Sequence, residues 1–259
     1  MREDLEDALN HRDDAYGRAQ KLVQIELPKR FYKETGVGVV DNGFTVTLDG
    51  RATRTPGQVP VVVPHARIAT VMAEEWAAQG ERINAETMPT VRLVNSALES
   101  GEAMVPRFRE EIVKYIGGDL LLYRADAPRE LVAKQDASWD AALVKAARHF
   151  GVSFQPTIGI IHQQQPPATL ARFDAVLLDE GLLALTALVS ITSLTGSGIL
   201  AVGLWHRLYT PDEAWTAAHV DEDHQIGLWG TDEEATLRRT KRRAEFDAAI
   251  AVLEMLRPD

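Results

Sequence analysis

His219-Val-Asp-Glu-Asp-His224 sets two imidazoles and three carboxylates within six residues. Such donors could hold a metal ion and activate water on it. The spacing argues against a shared face. His219 and His224 are five apart, about 140° around a helix, where an i, i+4 zinc pair subtends about 40°. Read as a calcium loop, Asp221, Asp223 and Gln225 fill the first positions. Ile226 then stands where the tight turn needs Gly, and Asp232 where the bidentate Glu belongs. A metal-assisted hydrolase using His219, Asp223 and His224 is therefore the alternative reading. Gly196-Ser197-Gly198 is neither a Gly-x-Ser-x-Gly nucleophile elbow nor a phosphate loop, and reads as a helix break. No Gly-x-Gly-x-x-Gly follows a strand, and the absence of Cys removes thiolate ligands and thiol nucleophiles together.

The element that must carry the His–acid cluster is more informative than the cluster. A helix is expected from Pro211 to Trp229, with Thr210 as N-cap, Pro at N1 and Glu213 completing a capping box. On it, Trp215, Ala218, Glu222, Gln225 and Trp229 recur at +3, +4, +3, +4 and define one stripe. Tryptophans at either end are favoured interface anchors. A carboxylate between them requires an internal cation, a catalytic role or a protein partner. Thr231-Asp232-Glu233-Glu234 predicts the start of a last helix by the same capping logic.

Upstream, Arg30–Lys33, Val37–Val40, Phe44–Leu48 and Val59–Val63 are β-prone runs, with Asp41-Asn42-Gly43 and Asp49-Gly50 between them as hairpin turns. Helical patterns follow at Pro64–Gly80, where Ile68, Val71, Met72 and Trp76 share a face. Others cover Pro89–Ser100, Val105–Gly117, Leu131–Phe150 and Pro167–Glu180. Strands first and helices afterwards predict an α+β fold: a small N-terminal antiparallel β-rich domain, then a larger all-helical one. The expected division is a helical arm over 1–27, the β-rich domain over 28–104 and the helical domain over 105–259. Leu182 to Trp205 holds no charge, but its centre, Ser190–Gly198, is too polar for a membrane span and predicts two buried helices.

The formal charge of −10 is unevenly spread. Eight acids and no Lys or Arg lie between Pro211 and Glu234, followed at once by Arg238, Arg239, Lys241, Arg242 and Arg243. Such an acidic chain does not suit nucleic acid. The basic block is expected to offset part of the acidic run, leaving the Trp215–Trp229 stripe as the docking face. Six acids among the first twenty residues exclude a signal or transit peptide at that position, and the expected setting is a bacterial cytoplasm.

Several motifs occur in one order. They are Arg30-Phe-Tyr-Lys33, Leu48-Asp-Gly-Arg51 with Thr55-Pro56, Glu74-Glu-Trp-Ala-Ala-Gln79, Met88-Pro89, Asp119-Leu-Leu-Leu-Tyr123, Ser190-Ile-Thr-Ser-Leu194, and Asp221-Glu-Asp-His-Gln225 through Trp229-Gly230. The series, spanning about residues 28 to 245, resembles the assembly chaperones of mitochondria and alphaproteobacteria that bind the alpha subunit of the F-type ATP synthase head. That resemblance implies a non-enzymatic protein without cofactor. Its partner would be the unassembled alpha subunit, held until the alpha/beta hexamer forms. It also implies a mitochondrial matrix location for eukaryotic members; a monomer when free, without membrane contact, is the expected state. The family's sensitive glutamate maps onto Glu222, with Gln225, Trp229 and Gly230 matching, and its N-terminal Glu-Trp pair maps onto Glu75 and Trp76. His224 departs from the family, which often has an aromatic before the Gln. The expected partner-binding set is Glu222, Gln225, Trp229, Trp215, Asp223, Glu75 and Trp76.

Overall fold

The computed structural model describes residues 27–257, and the expected helical arm falls almost wholly outside them. Strands β1 (Thr35–Val40), β2 (Gly43–Leu48) and β3 (Arg51–Ala52) form one antiparallel sheet in sequential order. Asn42, at φ +69°, closes the first hairpin. Asp49 and Gly50, at φ +48° and +76°, close the second; two successive positive φ values are what a two-residue turn between right-twisted strands requires. The Asp49 carboxylate accepts the amides of Lys33 and Glu34 at 2.9 and 2.8 Å, which holds its pKa below the usual range.

Two of the expected strands are reduced to single bridges. The Arg30–Lys33 run is extended, with only the neighbouring Lys29 bridged to Arg82, and Val59–Val63 pairs through Arg54–Pro60 and Phe44–Val63. Pro60 has no N–H to donate, so that run cannot build a full ladder.

Helices α1 (Ala66–Ala77), α2 (Pro89–Ser100) and α3 (Val105–Gly117) follow. Next come β4 (Tyr123–Arg124), α4 (Arg129–Gln135), a π-turn at Asp136–Asp140, and α5 (Ala141–Phe150). The expected Leu131–Phe150 helix is thus one rod with a π-turn in it. That turn carries Trp139 into the core and sets Asp140 2.6 Å from the nearly buried Arg124. Strand β5 (Thr157–Ile158) pairs parallel with β4, a small sheet that the sequence pattern did not suggest.

The rest is helical: α6 (Pro167–Val176), α7 (Leu182–Thr195), α8 (Gly198–Trp205), α9 (Pro211–Ala218), α10 (Val220–Trp229) and α11 (Glu233–Leu256). Among the described residues, no helix is long and apolar enough to cross a membrane. The uncharged segment divides at Gly196 (φ +69°) into α7 and α8, both largely buried. A Cβ at Gly198 would lie 2.6 Å from Ile116 and 2.9 Å from the Ile112 carbonyl oxygen, so α8 begins by touching the α3 backbone.

Apolar residues form two clusters. One gathers Tyr32, Val46, Leu48, Val61, Ile68, Met72, Met88 and Val94 around the sheet and α1. The other, larger, runs from Ile112 through Trp139, Phe173, Leu188 and Leu200 to Phe246 and Leu253. Leu183, Met255 and Leu256 pack against both. The fold is α+β, a small antiparallel sheet followed by a mostly helical region.

Candidate functional site

The expected 211–229 helix is two helices. The chain leaves helical geometry at His219 (φ −118°, ψ 18°) and α10 starts there. Counting +3 and +4 across that break does not build one face. Trp215 is buried, its ring 4.0 Å from the His219 ring and 5.1 Å from Phe246, while Trp229 is 83% exposed. The continuous stripe is corrected accordingly: its first tryptophan belongs to the core and its last projects from the surface.

The break also explains the acidic run. Asp212 and Glu213 occupy the first turn of α9, and Asp221, Glu222 and Asp223 the first turn of α10. Asp232 caps α11, with Glu233 and Glu234 in its first turn. All eight acids therefore sit at helix N-termini, where free N–H groups and the helix dipole favour negative charge. The Thr210 capping box forms as expected, with Glu213 N donating to Thr210 Oγ1 (3.1 Å) and Thr210 N to Glu213 Oε2 (2.7 Å). At α11 the cap is Asp232 rather than Thr231, its Oδ1 accepting the Ala235 amide at 2.6 Å.

The basic block supplies further compensation. Arg239 stands 2.5 Å from Asp223 and 3.9 Å from Glu222, Arg243 2.6 Å from Asp212, and Arg238 2.8 Å from Glu234. Lys241 reaches Glu86 at 2.7 Å, and the Arg242 guanidinium donates to the Leu194 carbonyl at 2.5 Å. Most of the charge that looked surplus on the expected docking face is answered within the fold, with Glu222 the more loosely held. Exposed apolar side chains stand on both sides of the α10–α11 turn, Trp229 and Leu228 (56%) before it and Leu237 (55%) after it, with exposed Asp232, Glu233 and Glu234 between them. Leu228 and Leu237 escaped the sequence reading because each follows helical spacing and only tertiary packing shows that nothing covers them. Gly230 (φ +80°) makes the turn.

Glu222 is part exposed, 3.9 Å from both Arg239 and His219. His219 Nδ1 meets the Trp215 carbonyl at 2.7 Å, and burial pushes the imidazole pKa down, favouring the neutral ring. His219 and His224 are both buried, and Asp223 is engaged by Arg239. Among the described residues, no three His, Cys, Asp or Glu side chains converge as metal ligands. Nothing in this geometry supports the hydrolase alternative.

The N-terminal pair lies elsewhere. Glu75, near the end of α1, accepts the amides of Thr90 and Val91 at 2.8 Å each, so it caps the start of α2 from outside. Burial raises its pKa against the opposing pull of those bonds. Trp76 packs edge-on to Tyr32 at 5.5 Å, and its carbonyl accepts the Tyr32 hydroxyl at 2.7 Å. Helix α11 links the two regions, since Lys241 pairs with Glu86 and Glu245 with Arg92 at 2.8 Å.

A family model described as ATP12 chaperone protein matches residues 29–147. A protein from Agrobacterium tumefaciens is 42% identical with a TM-score of 0.85, over 93% of this chain and 90% of that one. The Atp12 protein from Paracoccus denitrificans is 33% identical with a TM-score of 0.81, over 89% of this chain and 99% of its own. A single-residue mutant of the Paracoccus protein superposes equally well, at a TM-score of 0.81. With sequence and fold shared over nearly the whole length of these relatives, the chain belongs to the ATP12 chaperone family.

Proposed function

We propose that this protein holds the unassembled alpha subunit of the F-type ATP synthase head and releases it into the alpha/beta hexamer, without catalysis and without a cofactor. The observation that carries the reading is the bare tip of the α10–α11 turn. Trp229 is 83% exposed, with exposed Leu228 before the turn and Leu237 after it, on a segment where Asp212, Asp223 and Glu234 are paired with arginines. An unassembled ring subunit presents a large interface that aggregates readily. A holder needs an apolar anchor that can be exchanged for the true neighbour, with polar groups to set orientation. Trp229 is the anchor and Glu222 and Gln225 the polar contacts. Asp223 and Trp215 support them from behind, Asp223 through Arg239 and Trp215 from the core. Glu75 and Trp76 contribute from the sheet-bearing half, Glu75 by fixing α2 and Trp76 by its partly exposed ring.

The test is co-purification with separately expressed alpha and beta subunits. Retention of alpha and not of beta is expected; equal retention of both, or of neither, contradicts the reading.

A further inference from the structure

The segment from His149 to Ala171 holds no Asp, Glu, Lys or Arg, in a chain that is 25% charged. Its middle is a tip of isoleucines. Ile158, Ile160 and Ile161 are 70%, 95% and 78% exposed, and Ile160 is the most exposed large apolar side chain among the described residues. None of the three joins either packed cluster.

The tip is held out by bonds at both feet of its loop. Gln165 is buried at the base; its Oε1 accepts the Gln155 amide at 2.9 Å, and its Nε2 donates to the carbonyls of Gln155 (2.9 Å) and Gln163 (3.1 Å). The Tyr123 hydroxyl meets His162 Nδ1 at 2.9 Å. Gly159, at φ +81°, donates its amide to the Arg124 carbonyl at 2.8 Å beside the β4–β5 pairing. Polar groups thus fix the loop while three isoleucines stay in water, a cost to the free chain that is offset when something covers them. A loop already fixed loses little entropy on docking.

Two links join β4, the strand beneath this loop, to the α9–α10 break. The buried Gln135 accepts the Ala125 amide on its Oε1 at 2.8 Å and donates from Nε2 to Asp221 at 2.7 Å, one residue before Glu222. Arg124 lies over the Trp139 ring at 5.3 Å, and Trp139 Nε1 donates to the Ala217 carbonyl at 2.7 Å. The isoleucine tip and the Glu222 face are mounted on one frame.

What fits the tip follows from its chemistry. An anionic leaflet attracts basic segments, and this one brings no Lys or Arg in a chain of net charge −10. Three side chains also fall well short of the roughly 800 Å² per partner of a specific interface, so tip-to-tip contact does not hold two copies together. The tip suits one part of a larger contact, and Glu222, Gln225 and Trp229 on the same frame supply the rest.

We propose that Ile158–Ile161 is a second anchor for the same client, taking an uncharged, apolar segment of the unassembled subunit while the Trp229 tip holds another; this rests on the function proposed above. With both anchors on one frame, engagement of the first raises the effective concentration for the second.

The test is an equilibrium titration of purified alpha subunit against four full chains: native, Ile160→Ser/Ile161→Ser, Trp229→Ala, and all three substitutions together. Each chain is also sedimented alone and with phosphatidylcholine vesicles, with and without phosphatidylserine. At least about tenfold weaker binding is expected of the isoleucine variant, and a further loss in the combined one, with melting temperatures unchanged. Native and isoleucine-variant chains of equal affinity would overturn the second anchor and leave the proposed function standing. No binding by the native chain would overturn that function and the anchor with it. A lowered melting temperature in the isoleucine variant would assign these side chains to the core instead. Self-association or vesicle binding that the isoleucine replacement abolishes would give the tip to a second copy or to lipid, and overturn the proposal.

Discussion

Arg239, on the second turn of α11, stands 2.5 Å from Asp223 and 3.9 Å from Glu222 at the start of α10. One guanidinium therefore pins the N-terminus of α10 from behind and leaves Glu222 loosely held, with its side chain 40% exposed. Asp223 is the strut and Glu222 the group free to meet something else. Reversing Glu222 to Lys puts a cation beside Arg239 at a site open to solvent, where screening keeps the cost to about 1 kcal/mol or less. The helical circular dichroism spectrum should be unchanged and alpha-subunit capture lost. Loss of the helical signal would instead make Glu222 an internal strut.

The two tryptophans of the former stripe should part company. Trp215→Ala removes a ring packed on His219 and Phe246 and should destabilise the fold by about 3–5 kcal/mol. Trp229→Ala should change stability by no more than about 0.5 kcal/mol. Urea midpoints of the two variants check this. Equal midpoints would mean that Trp215 is not in the core.

Glu75 caps α2 through two amides, and Glu75→Ala leaves the buried N–H groups of Thr90 and Val91 unpaired. A loss of about 1–3 kcal/mol is expected. Glu75→Gln, which keeps one acceptor and the packing, should recover part of it in thermal melts. An unperturbed Ala variant would remove the capping role and leave Glu75 to contact alone.

Asp119 is fully buried and bonded to the amides of Ile199 (2.9 Å) and Leu121 (3.1 Å), tying the end of α3 to the start of α8. Desolvation outweighs those bonds and pushes its pKa up from 3.8 to about 7. The folded chain thus holds this proton at pH values where the unfolded chain has released it. The contribution of Asp119 to stability is greatest below about pH 4, falls as pH rises toward about 7, and is level above that, against the opposite trend of carboxylates such as Asp49 and Glu213 whose pKa is lowered. The contribution lost over this window is about 4 kcal/mol at most. The difference in urea stability between the native chain and Asp119→Asn should change with pH between about 4 and 7; a difference that is constant with pH would mean that Asp119 does not titrate in that range.

Local chemistry was most legible where it was self-contained. The Thr210 capping box, the Asp49-Gly50 turn and the boundaries of α2 and α3 depend on a few adjacent residues, and each forms as the sequence implied. The stripe failed because periodicity assumes an unbroken helix. The break falls at His219, whose ring lies on Trp215, and Trp215 in turn packs against Phe246, thirty-one residues further on and outside any local window. The acidic run was visible as a cluster, but its meaning as three helix N-termini needed the breaks to be known. The β4–β5 pair joins segments more than thirty residues apart with two residues each, too little for a pattern to show. Glu75 sat in a recognisable Glu-Trp pair, yet its role as a cap across the chain is a tertiary fact.

The central claim is that the exposed Trp229 tip grips the alpha subunit, and an equilibrium titration of purified alpha subunit against the native chain and Trp229→Ala tests it most directly. The account predicts saturable binding by the native chain and at least about tenfold weaker binding by the variant, with no change in its melting temperature. Equal affinity for the two chains, both folded, would contradict it.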